Sequence, residues 1–439
     1  MRKLISLVLV IALAVSMLVG CGGSGGNDGK KDVKVGLIMV GDDTEGYTKA
    51  HIDGIKKAAE NCGISDDQLV WKYSIPESDE CTKAAEELVA AGCTLIIANS
   101  YGHEDYMNAA AQKYPDVNFV SMTGDYAAVS GNKNYFNAFT RVYESRYVSG
   151  VVAGMKIKEL ADAGKIPAKS YTKDKKVKVG YVGAHPYAEV VSGYTAFFLG
   201  IKSVYKDVSM EVTYTNSWFD VDKEAAAAEA LMKDNCVIIG QHADSTGAPA
   251  ACQKAKDNGT VVYSVGYNVD MLSVAKTAAL TSPTNEWSVY YTDLFKAVLD
   301  GKEIPQDWAK GYDADAVAIT DLGPEVAKGT DAKVKEVIAG IKDGSVHVFD
   351  TANFTITGKN VDATKKNVAD IKIDKKGKVT SCPIDLSHFD FTVNPPKLIY
   401  KGATKDALQK DGKNTFFDES SLHSAPYFSL RIDDTTELQ

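Results

Sequence analysis

The chain repeats itself, and this constrains its fold more than any other feature. "VKVGLIMVGDDTEGYTKAHIDGIKKA" (33–58) is echoed by "VKVGYVGAHPYAEVVSGYTAFFLGIKSV" (177–204). Each copy opens with Val-Lys-Val-Gly, runs on as an apolar strand, passes a polar loop and enters a helix bearing Gly-Ile-Lys. The echo continues between 91–125 and 234–270, where an apolar strand, polar loop, helix and second apolar strand follow in the same order. Short apolar strands alternating with helices specify βαβ units around a parallel sheet buried on both faces. Two copies specify two doubly wound α/β lobes. The repeat breaks at 131–150 and 281–291, which are the expected crossings between lobes. Lobe 1 is expected over 33–142 plus about 268–305, and lobe 2 over 143–267 plus about 306–345. Ligands of such sheets sit outside the carboxyl ends of the strands. The loops 41–48, 99–106, 123–127, 183–190, 215–222, 241–248 and 266–271 therefore face a cleft that a hinge can close.

Both ends of the chain differ from this pattern. From 346 to 439, segments such as "VADIKIDKKGKVTS" and "FDFTVNPPKLIY" alternate like strands with turns between them, which specifies an appended β-rich extension. At the other end, Arg2 and Lys3 precede an almost wholly apolar run over 4–19, and small residues lead to Cys21. That is the layout of a secretory signal over 1–20. The run lacks the length and basic flank of a membrane span. Its "LVGC" ending resembles the lipobox of bacterial lipoproteins, which implies cleavage before Cys21 and a diacylglyceryl thioether on its sulfur. Residues 21–32, rich in Gly, Ser and Asp, read as a flexible tether. The chain is thus expected outside the cytoplasm, anchored by lipid to a cell membrane.

A net charge of −9, with no basic patch interleaved with aromatics, argues against a nucleic-acid partner. None of the seven cysteines forms a CxxC or Cys/His zinc pattern. Cys93 and Cys236 each precede an apolar strand and read as small buried residues. No loop carries the Asp/Asn alternation and terminal Glu of a calcium site, and neither GxxxxGK[ST] nor a GxGxxG after the first strand is present. No metal or cofactor is therefore expected.

The strand-end loops carry Tyr47, Tyr101, Tyr187, Trp218, Phe219, Tyr267 and Trp287. Beside them stand Asp43, Asn99, Asp125, Asp220, His242, Asp244, Asn268, Asp270 and Asn285. Aromatic faces with a few polar neighbours suit a flat ring whose edge needs hydrogen-bond partners, and they also suit a pyranose. "QHADSTG" (241–247) brings His242, Asp244 and Ser245 together, which raises the question of a hydrolase. A Ser–His–Asp triad converges from separate loops, and Ser245 has no GxSxG elbow. The stretch reads instead as a helix start capped by Asp244 or Ser245. An exported nucleoside hydrolase would need a metal cluster or a paired acid and base, and neither is visible.

Seven pieces in order carry a family resemblance: "GYTKAHIDGIKKA", "RVYESRYVSGVVAGM", "GYVGAHPYAEVVSGYTAFFLGIKSV", "SWFDVDKEAAAAEAL", "GQHADSTG", "VGYNVDM" and "NEWSVYY". Over about 33–345 the chain resembles the basic membrane protein family of substrate-binding lipoproteins, which includes purine nucleoside receptors. The resemblance implies a type I periplasmic-binding-protein fold, a purine base or nucleoside held between the lobes, and an ABC permease with its ATPase as partners. It implies that Tyr47 stacks on the ring and that Asp270 stands where ribose hydroxyls are held. The receptors have a Lys where this chain has Asn285, which weakens the case for a ribose grip. The expected site is Tyr47 and Trp218 around the ring, Asp125, Asn99 or Asp244 at its edge, and Asp270 and Asn285 beyond, with Asp43 and Trp287 nearby. A sugar-binding or sensory lipoprotein is the alternative.

Overall fold

The structure, a computed structural model, describes residues 33–390 and 395–438. The expected signal, Cys21 and the tether lie outside them. Two parallel six-stranded sheets form the frame. In the first lobe, β1 (Val35–Ile38), β2 (Leu69–Lys72), β3 (Leu95–Ala98), β4 (Asn118–Met122) and β5 (Tyr135–Thr140) come early in the chain. In the second, β6 (Val177–Gly183), β7 (Val208–Tyr214), β8 (Ile238–Gln241), β9 (Tyr263–Val265) and β10 (Ala279–Thr281) follow. Next come β11 (Pro283–Asn285), β12 (Asp307–Lys310) and β13 (Val317–Ile319). The first sheet runs β12-β5-β4-β3-β1-β2. The second runs β10-β9-β8-β6-β7 and ends on the strand Thr435–Glu437. All four residues of β1 and of β3 are buried, as strands covered by helices on both faces must be.

The lobe boundaries differ from expectation by one strand at each crossing. Ala279–Thr281, expected in the first lobe, pairs with β9 in the second sheet. Asp307–Lys310, expected in the second, pairs with β5 in the first. Strands this short carry no pattern that reveals which sheet they join. The crossings themselves are the start of α4 (Val142–Asp162) and the antiparallel pair β11–β13.

Local chemistry sets the helix ends that face the cleft. In α1 (Gly46–Cys62), the Glu45 side chain accepts from the Tyr47 and Thr48 amides, and Gly63 ends the helix at φ 71°. Asp220 likewise caps α6 (Val221–Lys233), after α2 (Asp79–Ala90), α3 (Glu104–Lys113) and α5 (Ala188–Val204). The buried helices α4 and α5 cross with their backbones in contact. A Cβ on Gly150 would stand 2.0 Å from the Phe197 carbonyl oxygen, and one on Gly200 would stand 2.0 Å from that of Tyr147. Only glycine permits this approach.

The extension contains the expected short strands, but it is not merely appended. Phe349, Phe354, Ile356, Phe417, Phe428 and Ile432 share one core with Val177, Tyr194 and Phe197 of the second lobe. Its last strand pairs in parallel with β7. Cys81, Cys93, Cys236, Cys252 and Cys382 are all buried. Among the described residues, no helix is long and apolar enough to cross a membrane.

Gly150→Ala should lower unfolding stability by ~1–3 kcal/mol through overpacking. Urea unfolding checks this, and an unchanged midpoint would contradict the backbone contact.

Candidate ligand-binding cleft

The floor of the second lobe is built on the loop after β8. Gln241 Nε2 donates to the carbonyls of Ala243 (2.7 Å) and Ser245 (2.9 Å), folding residues 242–245 into a tight turn. His242, Asp244 and Ser245 then point to three different partners. His242 Nε2 lies 2.6 and 2.7 Å from the carboxylate oxygens of Glu189, in the first turn of α5. Asp244 Oδ1 accepts from Asn268 Nδ2 at 2.9 Å. Ser245 Oγ accepts from the Gly247 amide at 3.1 Å, at the start of α7 (Gly247–Asp257). No nucleophile–base–acid chain forms, and Ser245 rather than Asp244 serves the helix start.

Arg146, on α4, closes the floor from below. Its Nη1 donates to the Tyr181 hydroxyl (2.8 Å) and the Gln241 carbonyl (3.0 Å), and its guanidinium lies 3.8 Å over the Tyr267 ring. Burial, and then Arg146, push the His242 imidazole down to about 4, so it is neutral and its Nε2–H donates to Glu189. Burial alone would raise the Glu189 carboxyl, but His242 and Arg146 hold it below the usual range.

The opposing wall comes from α1. The Tyr47 hydroxyl donates to the Asn99 carbonyl at 2.5 Å, and its ring meets His51 edge-on at 4.5 Å. His51 stacks on Trp287 at 4.4 Å, in the first turn of α8 (Trp287–Leu299). The Asn99 side chain is spent inside the lobe, accepting from the Val40 amide (2.8 Å) and donating to Thr48 Oγ1 (3.2 Å). Between the walls, Thr140 Oγ1 donates to Asn285 Oδ1 (2.5 Å), and Asn285 Nδ2 donates to Asn268 Oδ1 (2.9 Å). A continuous chain therefore runs from β5 through β11 to Asp244. Asn268 adopts φ 61°, a conformation Asn tolerates, whereas β-branched Thr123 at φ 63° after β4 is strained. The lobes meet here: a Cβ on Gly46 would stand 3.2 Å from the Asp244 carbonyl oxygen.

Of the residues expected at the site, Tyr47, Asp244 and Asn285 converge on this interior, with Asn99 just behind. Trp218 lies at the rim of lobe 2, its ring 4.9 Å from His185 and its carbonyl accepting the Asp244 amide at 2.9 Å. Asp125 lies at the rim of lobe 1, where the Tyr101 hydroxyl reaches it at 3.4 Å. Asp43 and Asp270 are exposed, and Asp270 Oδ1 accepts from the Leu272 amide in its own turn. Trp287 is 1% exposed and belongs to the lobe 1 core. Arg146 and Thr140 join the site without a local sequence signal, while Glu189 and Thr123 lie in the expected strand-end loops but are not singled out there. Arg146 sits inside a helix, where nothing in its spacing marks a cleft. Among the described residues, no group of three His, Cys, Asp or Glu is placed to hold a metal ion.

Two parallel-sheet lobes joined by three crossings, with polar loops facing each other, define a hinged solute-binding fold. A solved solute-binding protein from Aeropyrum pernix K1 superposes with a TM-score of 0.58 at 16% identity, over 76% of this chain and 97% of that one. The chain belongs to the family of PnrA-like ABC transporter substrate-binding proteins, whose model matches residues 32–348. This is the family its motifs resemble, and it serves ABC transporters outside the cytoplasm. A purine-binding protein of Brucella abortus is 34% identical over 345 residues, 78% of this chain and 89% of that protein. A putative ABC transporter glucose-binding protein of Haloferax volcanii is 29% identical over 63% of this chain and 64% of that protein.

Burial, then Glu45, Glu224 and Glu189, raise the Asp244 carboxyl well above its ordinary range. A raised folded-state pKa means the folded chain binds the proton more tightly, so stability falls as pH climbs from the unfolded value through the folded one. Asp244→Asn should therefore raise the melting temperature of the ligand-free protein, and the gain should widen as pH rises above the ordinary carboxylate range. A gain that does not change with pH would refute this account.

Proposed function

We propose that this chain is a lipid-anchored extracytoplasmic receptor that captures a purine, preferentially the free base, and delivers it to an ABC permease and its ATPase. The observation that carries the reading is the buried Asp244 carboxylate, fixed by Asn268 and facing the lobe that presents Tyr47. An acceptor of this kind suits the N–H edge of a flat heterocycle, and aromatic walls suit its faces. The purine-binding relative supports the same ligand class. Preference for the base follows from the two positions where the resemblance expects a ribose grip. Asp270 is exposed and spent on its own turn, and Asn285 is engaged by Thr140 and Asn268.

Capture proceeds by closure. Tyr47 belongs to one lobe, Asp244 and Trp218 to the other, so a ligand gains all its contacts only in the closed form and selects it. An N–H of the ring donated to Asp244 favours the ionised carboxylate that burial disfavours. The anchor is Cys21, through the "LVGC" sequence. A sugar is the second reading, supported by the glucose-binding relative.

The test is a melting-temperature screen of residues 22–439 with adenine, hypoxanthine, guanine, their nucleosides, glucose and other sugars. A ligand at ~100 times its dissociation constant stabilises by about 2.7 kcal/mol, a readily visible shift. Bases should shift the melt more than nucleosides, and Asp244→Asn should abolish the shift. A response to glucose alone would replace the purine reading with the sugar one.

A further inference from the structure

The matched family span ends at 348, yet the chain continues for a further stretch that touches both lobes. Its root is in the second lobe. Phe349 stacks on Phe428 at 4.3 Å, and Phe417 meets Phe428 at 4.9 Å. The buried Glu419 accepts from Ser192 Oγ on α5 (2.5 Å) and from the Phe428 amide (2.7 Å). Glu437, in the closing strand, accepts from the hydroxyls of Tyr194 (3.0 Å) and Tyr214 (2.5 Å) and pairs with Arg431 at 3.1 Å.

From this root a finger leaves and returns. Its base is the antiparallel pair Pro383–Asp385 with Thr404–Asp406. Cys382, Ile384 and Ala407 at that base lie in the second-lobe core. Its outer part is the pair His388–Asp390 with Lys397–Tyr400. This part rests on the first lobe. The His388 ring lies 3.8 Å from that of Tyr126, with Nε2 3.3 Å from Asp105 and Nδ1 3.8 Å from Asp125. The Tyr400 hydroxyl accepts from Asn108 Nδ2 (2.7 Å) and Gln112 Nε2 (3.1 Å), both on α3. A second bridge lies nearer the hinge, where the Ser424 amide donates to Asp307 Oδ2 on β12 at 2.8 Å.

We propose that the extension, through its described residues 346–390 and 395–438, is an intramolecular strap that ties the two lobes in the closed arrangement. The strap is rooted in one lobe by a continuous apolar core and bound to the other by polar and ring contacts. Opening the cleft must break those contacts or bend the finger. The polar end is the one that yields, because its groups can exchange their partners for water while the apolar root cannot. The strap thus biases an existing two-state hinge toward closure, and ligand release requires its detachment.

The test needs no knowledge of the ligand. Hydrogen exchange of residues 22–439 without ligand is compared between wild type and the double variant His388→Ala, Tyr400→Phe. Exchange at 242–246 and 266–270 should rise about tenfold, while the strand cores β3 and β8 stay unchanged. Unchanged exchange in those loops would overturn the proposal. A rise throughout both lobes would also overturn it, since that signals lost stability rather than opening. A second variant, His388→Gln, keeps a donor for the Asp105 carboxylate and should restore most of the protection. Adenine dissociation, followed by stopped flow, should be about tenfold faster in the double variant. If adenine does not bind at all, the purine reading fails while the exchange result still decides the strap.

Discussion

Closure of the cleft depends on burying Asp244. The residue is 7% exposed, and its carboxyl meets the fields of Glu45, Glu224 and Glu189 with Asn268 as its hydrogen-bonding partner. A carboxylate in that setting opposes closure, because burial disfavours its charge and its acidic neighbours add to the cost. Something must offset this for the lobes to sit together. A ligand with ring N–H groups can do so at the carboxylate itself. The strap can do so at a distance, through His388 and Tyr400. A binding site that is electrostatically uncomfortable when empty discriminates well, since only a ligand that satisfies it relieves the discomfort.

The neighbouring His242–Glu189 pair solves the same problem differently. A neutral imidazole donates to an ionised carboxylate, and Arg146 beneath them, stacked on Tyr267, supplies positive charge. The charges on the floor of lobe 2 are therefore balanced, while Asp244 beside it has acidic neighbours and only Asn268 to offset them. The Thr140–Asn285–Asn268–Asp244 chain ties this acceptor to two of the crossings, so a hinge rotation at β5 or β11 moves the acceptor as well.

The family frame ends near 348, but the fold does not. The second sheet is completed by a strand from the far end of the chain, and the second core is shared between the frame and the extension. An added segment that only decorated the surface would not place Phe428 against Phe349 or Glu437 beneath two tyrosines. Its removal would expose apolar core of the second lobe and break its contacts to the first.

Much of this was legible in the chain itself. The repeated Val-Lys-Val-Gly strands and their following helices determined two parallel-sheet lobes, because an apolar strand covered on both faces has few other ways to fold. The same pattern placed Tyr47 and Asp244 at strand ends, where a cleft must lie. Sequence spacing could not decide which side chains meet across the cleft. Asp270 shares a loop with Asn268, yet one faces water and the other the interior, by a backbone turn at φ 61°. Arg146 and Glu189 enter the site from helices whose faces are set only by the crossing of α4 and α5 at Gly150 and Gly200. Asp307–Lys310 took its sheet from β5, far back in the chain, whereas Ala279–Thr281 joined the second sheet through β9, the strand just before it. Local sequence determines periodicity and turn chemistry over a few residues. The partners of a short strand, a buried arginine or a C-terminal finger are chosen by packing between segments that lie apart in the chain, and only the tertiary structure holds that information.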